Sequence, residues 1–237
     1  MHKWQAELSG HPHDLEELPG AFTEPDLRVI TDEGHYYMET AAFDDLANAV
    51  DVQTVAGELL RRLNGAALLG IPGFRRVSIS GHFREQSGAA THQHAVVLAG
   101  TIDVRAKVHA PTILIDGESP PAPTPGPSVS DQRIRKVRSN AHADRAVELW
   151  GDPHDTTNLW KVWELIRQYS GLRSAQGQVC RLRTGLNDAR ASGEAARHEV
   201  PDPKYAPHPN PMSVAEAEAF LGDLLKQWLD SIGGGKP

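Results

Sequence analysis

The sequence contains little of what covalent or cofactor chemistry requires. Its only cysteine, Cys180, excludes an internal disulfide and any metal site built from several thiolates. It has no glycine-rich phosphate loop, nucleophile elbow or paired zinc motif, so no cofactor is predicted. No apolar run approaches the roughly 20 residues that span a bilayer, and residues 1–5 lack the apolar stretch of a signal peptide. We therefore expect a cytoplasmic protein without a membrane contact.

Proline, by contrast, is concentrated in one place. Five prolines fall within residues 119–128, and proline neither donates to a strand ladder nor continues a helix. The stretch predicts an extended, semi-rigid spacer. Before it, apolar residues mostly alternate with period two, and after it they recur with period 3.6. The predicted organisation is a small α+β domain at 1–118, a proline-rich linker at 119–129 and a helical domain at 130–237.

The first half is typical of an antiparallel sheet with one packed helix. Alternation over 77–83 predicts a half-buried strand, and a turn at 86–89 leads to a second strand that continues to Val108. An apolar stripe from Val52 to Ala67 predicts a helix that Asp51 caps. Shorter strands are predicted at 4–8, 27–31, 36–40 and 112–115, with a hairpin turn at 32–35.

The second half predicts four helices. The first covers about 130–150 with a break near Asn140, and the third lies near 178–190. The second has a stripe at positions 159, 162, 163, 166 and 169 and ends at Gly171. The fourth begins with a capping box formed by Ser213 and Glu216. Four amphipathic helices of this length favour a compact four-helix bundle, so the fold class is α+β with a C-terminal bundle.

Histidine is abundant, with 12 residues, and two pairs have H-x-H spacing. On a strand this spacing places both imidazoles on one face, which suits a metal. However, His92 and His94 share their predicted face with Val96 and Leu98, and no carboxylate is near in sequence. The prediction is therefore surface histidines and no metal site.

Charge is distributed unevenly along the chain. Residues 1–118 hold 9 basic against 17 acidic residues, a net charge of −8, whereas residues 119–237 hold 15 against 14. Within 161–197 there are 7 basic and 3 acidic residues. This local excess attracts an anion or a phosphate backbone, or it is the solvated face of a helix.

Candidate binding residues lie on the second and third helices. Asn158, Lys161 and Glu164 recur every three residues, away from the apolar stripe. The alternative is ordinary pairing of Lys161 with Glu164 on a helix surface. Arg183 on the third helix and Asn187 at its end complete the binding set.

Candidate catalytic residues lie in the loop that follows. Arg190, Arg197 and His198 place one titratable imidazole beside two cations, which suits acid–base chemistry next to a bound phosphate. The alternative is a chance grouping in a surface loop.

Several segments resemble a group of uncharacterised bacterial proteins. The resemblance rests on residues 158–166, 196–198 and 211–217, and on 64–67 and the tyrosine pair 36–37. Four helices with an Arg/His loop before the last one also resemble HEPN domains of defence and toxin ribonucleases. The resemblance implies metal-independent RNA cleavage by His198 with Arg197 and Arg190. Seven residues separate Arg190 from His198, a longer interval than in the HEPN pattern.

Taken together, these features favour a bacterial binding or interaction module linked to defence, and the alternative is a HEPN-like ribonuclease. The expected partner is a protein or an RNA or other phosphate-bearing ligand, and an oligomer is compatible with the sequence.

Overall fold

The computed structural model describes residues 3–87, 90–96, 135, 137, 139–172, 174–188 and 207–232. These residues form a mixed α+β structure with a six-stranded antiparallel sheet and six α-helices. The strands are β1 (Trp4–Ser9), β2 (Thr23–Glu24), β3 (Leu27–Asp32), β4 (His35–Glu39), β5 (Ser78–Ser87) and β6 (Ala90–Ala95). The helices are α1 (Pro12–Ala21), α2 (Ala49–Gly70), α3 (Ala141–Gly151), α4 (Thr156–Tyr169), α5 (Gln176–Asn187) and α6 (Val214–Ser231). None of the helices in these ranges is long and apolar enough to cross a bilayer.

The strands are ordered β2-β3-β4-β1-β5-β6, and every neighbouring pair is antiparallel. The predicted hairpin turn at 32–35 is confirmed: Asp32 pairs with His35, and Glu33 and Gly34 have φ values of 49° and 80°. Positive φ at both central residues gives the type I′ turn that matches strand twist. This turn places His35 at the start of β4.

The predicted long hairpin is present as β5 and β6, with Ser87 opposite Ala90. The predicted continuation of the second strand, at 97–108, and the strand at 112–115 lie outside the described residues. His92 and His94 occupy alternate positions of β6, as the H-x-H spacing requires. The His94 ring lies 5.0 Å from the Trp4 ring, centroid to centroid.

One face of the sheet packs against α2. Trp4, Ala6 and Leu8 alternate with polar residues along β1 and join the same core as the α2 stripe. The predicted helix is correct, but its predicted cap is wrong. The Asn48 side chain, rather than that of Asp51, accepts hydrogen bonds from the backbone N–H groups of Val50 and Asp51, both at 3.0 Å.

A second helix, α1, packs on the same core, so the prediction of a single packed helix is wrong. Its sequence contains Pro12, Pro19 and Gly20, which are unfavourable inside helices. The structure places Pro12 in the first turn, where its missing N–H costs nothing, and Pro19 near the end. Burial of Leu15 and Leu18 stabilises this short helix.

Helices α3 to α6 share a second hydrophobic core. The predicted break near Asn140 is confirmed, because its side chain caps α3, and the predicted capping box of Ser213 and Glu216 begins α6. The predicted α4 stripe is wrong at Tyr169. This side chain is exposed and stacks on His142, with ring centroids 3.5 Å apart. The core residues from the four helices include Val147, Trp150, Leu159, Trp163, Leu182, Leu186, Leu225 and Trp228.

The α2–α3 contact joins the two predicted domains. Arg62 of α2 donates from Nε to Asp144 at 2.9 Å, and its Nη2 lies 2.8 Å from Glu148. Leu69, near the end of α2, belongs to the core of the helical half. The boundaries at 118 and 130 stay predictions, since the predicted linker lies outside the described residues.

Candidate functional site

Within the described part of the chain, a dense polar arrangement lies on the face of the sheet opposite α2. We call it the Glu7 cluster, and it consists of Glu7, His35, Ser80 and His82. His35 Nδ1 lies 2.8 Å from Glu7 Oε1, and His82 Nδ1 lies 3.2 Å from Glu7 Oε2. The Ser80 hydroxyl donates to Glu7 Oε2 at 3.2 Å. One carboxylate thus holds two imidazoles and a hydroxyl from neighbouring strands.

Strand order and a bulge in β5 together build this cluster. β1 lies between β4 and β5, so Glu7 is adjacent to side chains from both. Ala6 pairs with Phe83 and Leu8 with Ile79, so three residues of β5 lie opposite Glu7 alone. Gly81 is the middle one, with φ of 88°, a conformation that favours glycine. The bulge directs both Ser80 and His82 toward Glu7, which matches the known use of bulges to re-aim side chains.

The cluster is accessible from solvent, and its carboxylate is partly shielded. The side chains of His35 and His82 are 55% and 67% exposed, whereas that of Glu7 is 16% exposed. A carboxylate at Nδ1 favours the tautomer that carries its proton there. The other ring nitrogen, Nε2, has no protein partner in either histidine within the described part of the chain.

Charged side chains beside the cluster, taken together with Glu7, make the local charge negative. The Arg84 side chain forms a close ion pair with Asp32, its Nη2 lies 4.0 Å from Glu33, and its guanidinium stacks 4.1 Å from the Tyr37 ring centroid. Glu7, Asp32 and Glu33 give three negative charges against one positive charge. With neutral histidines, the net local charge is therefore −2.

The nearby charges shift the pKa of the buried Tyr37 phenol. Burial is the largest cause that raises its pKa above the ordinary value, and the carboxylates of Glu7 and Asp32 raise it further. The guanidinium of Arg84 acts in the opposite direction. Two of the three carboxylates counted above therefore act on one buried phenol in the middle of this face.

Farther along the same face, the buried carboxylate of Glu39 is balanced by Arg28, whose side chain is 41% exposed. Gln5 Nε2 donates to Glu39 Oε1 at 2.6 Å, and Arg28 Nε donates to Glu39 Oε2 at 3.0 Å. Gln5 and Glu39 are almost fully buried. This trio has the character of a structural network, and the exposed Glu7 cluster next to it is the accessible part.

A second polar group lies where α3 and α6 meet. His154 Nε2 contacts Trp150 O at 2.8 Å, and its Nδ1 lies 2.7 Å from Glu218 Oε1, at an angle unsuited to a hydrogen bond. Arg76 Nε donates to Gly151 O at 2.9 Å. An open groove of about 320 Å³ runs alongside, lined by Leu68, Leu69, Trp150, Glu218, Ala219, Gly222, Asp223 and Lys226. These polar groups link the end of α3 to α6 and to the segment before β5. We therefore assign them a structural role and take the Glu7 cluster as the candidate functional site.

The predicted binding residues occupy local positions on α4 and α5. Asn158 Nδ2 donates to Pro153 O at 3.1 Å, and Glu164 accepts from the Trp160 indole at 2.9 Å. Lys161 and Arg183 are exposed, and Asn187 is half-buried. The shared binding role of these five residues stays a prediction.

The predicted catalytic residues Arg190, Arg197 and His198 lie outside the described residues. Among those the structure describes, no three histidine, cysteine, aspartate or glutamate side chains are arranged to hold a metal ion. Sequence reasoning missed Glu7, His35 and His82. The one available signal was Gly81, since a glycine inside a strand pattern often marks a bulge.

No protein-family model matches the chain, and searches of curated proteins and of solved structures return no match either.

Proposed function

We propose that this protein is a binding module and that the Glu7 cluster contacts an arginine-bearing segment of a protein partner. The observation that carries the proposal is the Glu7 cluster, in which two exposed imidazoles flank a partly shielded carboxylate, with Asp32 and Glu33 beside it. Its Nε2 atoms, which have no partner among the described residues, and its carboxylate oxygens are hydrogen-bond acceptors. A guanidinium is the side chain with the most donors, five in a planar fork.

Long-range charge supports a basic partner over a nucleic acid at this site. Residues 1–118 carry a net charge of −8, and such a field repels a phosphate backbone while it steers a cationic segment toward the surface. The cluster also lies on strands of a sheet, and such rigid elements hold a binding site more accurately than loops do.

The test uses a fluorescent hexa-arginine peptide and measures anisotropy at low ionic strength and mildly alkaline pH. Glu7→Gln and Glu33→Gln should each weaken binding by about two- to five-fold, the range expected for one exposed charge contact. Glu58→Gln removes an exposed carboxylate from α2 and serves as the matched control. Equal affinities for all variants, or no binding by the wild-type protein, would exclude this function.

A metal-independent ribonuclease is the second candidate. The exposed positions of Lys161 and Arg167 on α4 and of Arg183 on α5 favour it, because exposed cations can meet a phosphate backbone. Its catalytic residues remain the predicted Arg190, Arg197 and His198. RNA cleavage in the presence of a chelator, lost in His198→Ala, is the expected result. Cleavage that persists in that variant, or none in the wild type, would exclude it.

The four-helix bundle and the link to bacterial defence stay predictions.

A further inference from the structure

We infer that protonation of His35 and His82 releases the basic partner, so that binding at the Glu7 cluster is controlled by pH. This inference rests on the proposed function and adds its regulation. Two imidazoles contact one carboxylate through Nδ1, at 2.8 and 3.2 Å. Any proton gained by either ring therefore changes the charge directly at the atoms that would contact the partner.

The charge balance gives the direction of the effect. Among the described residues, Glu7 from β1 contacts both rings, Asp32 from β3 pairs with His35, and the Tyr37 ring of β4 lies 6.3 Å from that of His35, centroid to centroid. Ser80 and Arg84 from β5 and Glu33 from the turn are joined to these groups by the contacts described above. On β6, Ala95 lies opposite His82 and adds no charge. Neutral rings leave a net charge of −2, and two protonated rings bring it to zero. The local attraction for a cationic segment then disappears, which weakens binding.

Protonation also changes the hydrogen-bonding character of the cluster. A neutral ring that donates from Nδ1 to Glu7 offers Nε2 as an acceptor, whereas an imidazolium is a donor at both nitrogens. Two acceptors for a guanidinium thus become two repelling donors. Charge and hydrogen bonding act in the same direction, and histidine is the side chain that titrates in the physiological range.

The experiment measures the affinity for the hexa-arginine peptide across a pH series from mildly alkaline to mildly acidic. The wild-type protein should lose about three- to ten-fold in affinity, corresponding to two exposed charge contacts. His35→Gln/His82→Gln should lose less than about two-fold over the same range. Both side chains are exposed, so the double variant should keep the fold, and circular dichroism checks this.

The control is His13→Gln/His92→Gln, which removes two exposed imidazoles outside the cluster. It should keep the wild-type pH dependence, because we assign that dependence to His35 and His82 and not to surface histidines in general. An equal pH dependence in the His35/His82 variant would overturn the inference and leave the binding function intact. Absence of binding at alkaline pH would overturn both.

A second measurement does not depend on the peptide. Long-range nitrogen NMR of the wild-type protein at alkaline pH should show both rings protonated at Nδ1, as their contact with Glu7 requires. Glu7→Gln should redistribute the tautomers of both rings while distant histidines stay unchanged. Rings protonated at Nε2 in the wild type would overturn the assigned geometry.

Discussion

Gly65 of α2 and Gly151 at the end of α3 meet backbone to backbone. A Cβ atom placed on Gly151 would lie 3.0 Å from Gly65 N and 1.9 Å from Arg61 O. A Cβ on Gly65 would lie 2.1 Å from Val147 O. These distances are far inside van der Waals contact, so the two helices approach as closely as only glycine permits. The sheet and the helical core are joined at this point.

Gly65→Ala should therefore destabilise the protein strongly. Its Cβ would meet a backbone carbonyl that cannot rotate away, and overpacking of this kind costs about 1–3 kcal/mol or more. Gly57→Ala is the matched control on the same helix, since nothing lies within 4 Å of its Cβ position. It should stabilise by up to about 1 kcal/mol through helix propensity. Urea unfolding measures both, and a neutral Gly65→Ala would contradict the close crossing.

Trp163 fills the centre of the helical core with 4% of its surface exposed, as its position in the α4 stripe predicts. Trp163→Ala should cost about 3–5 kcal/mol, the range for deleting a large buried aromatic. Trp160 is half-buried on the same helix, so Trp160→Ala should cost clearly less. A cost below about 1 kcal/mol for Trp163→Ala would contradict its core position.

We expect the first proteolytic cut to fall in the predicted proline-rich linker. Limited digestion should cut between Ser119 and Ser130 and leave two protected fragments. Because α2 packs on α3, the two fragments should elute together in native gel filtration and separate in denaturant. First cuts elsewhere, with protection of 119–129, would contradict the predicted linker and the separate folding of residues 1–118 and 130–237.

The ionisation of Glu216 makes the stability of the start of α6 depend on pH. The backbone N–H of Ser213, which donates to Glu216 Oε2 at 2.8 Å, is the largest cause that holds the pKa of Glu216 below its ordinary value. The Ser213 hydroxyl and Arg181 lower it further. A depressed folded-state pKa stabilises the fold above the unfolded-state pKa, and this contribution is lost as the pH falls through the folded-state pKa.

Ser213→Ala should raise the pKa of Glu216 but leave it below the ordinary value, because the backbone N–H donor of residue 213 remains. It should also cost about 1 kcal/mol through loss of the helix cap. Carbon NMR of the Glu216 carboxyl measures the titration, and Arg181→Ala should also raise the pKa, because it removes a hydrogen-bond donor and a positive charge. A titration in Ser213→Ala identical to that of the wild type would contradict the role of the hydroxyl.

Local patterns in the sequence predicted most of the individual elements. The hairpin turn at 32–35, the α4 stripe and the Ser213–Glu216 capping box depend on residues close together in the chain, and all three are present. The errors arose where context overrides propensity. α1 forms despite two prolines because the core buries its leucines, and Tyr169 continues the stripe in sequence but lies beyond the packed surface.

The Glu7 cluster could only be decided by the tertiary structure. His35 is 28 residues from Glu7 in sequence, and His82 is 75 residues away. Their convergence requires that β1 insert between β4 and β5 and that Gly81 bulge the adjacent strand. Hydrophobic periodicity states which face of a strand is buried, but it carries no information on which strands become neighbours. The sequence alone thus determined elements and composition, whereas long-range strand pairing decided the site.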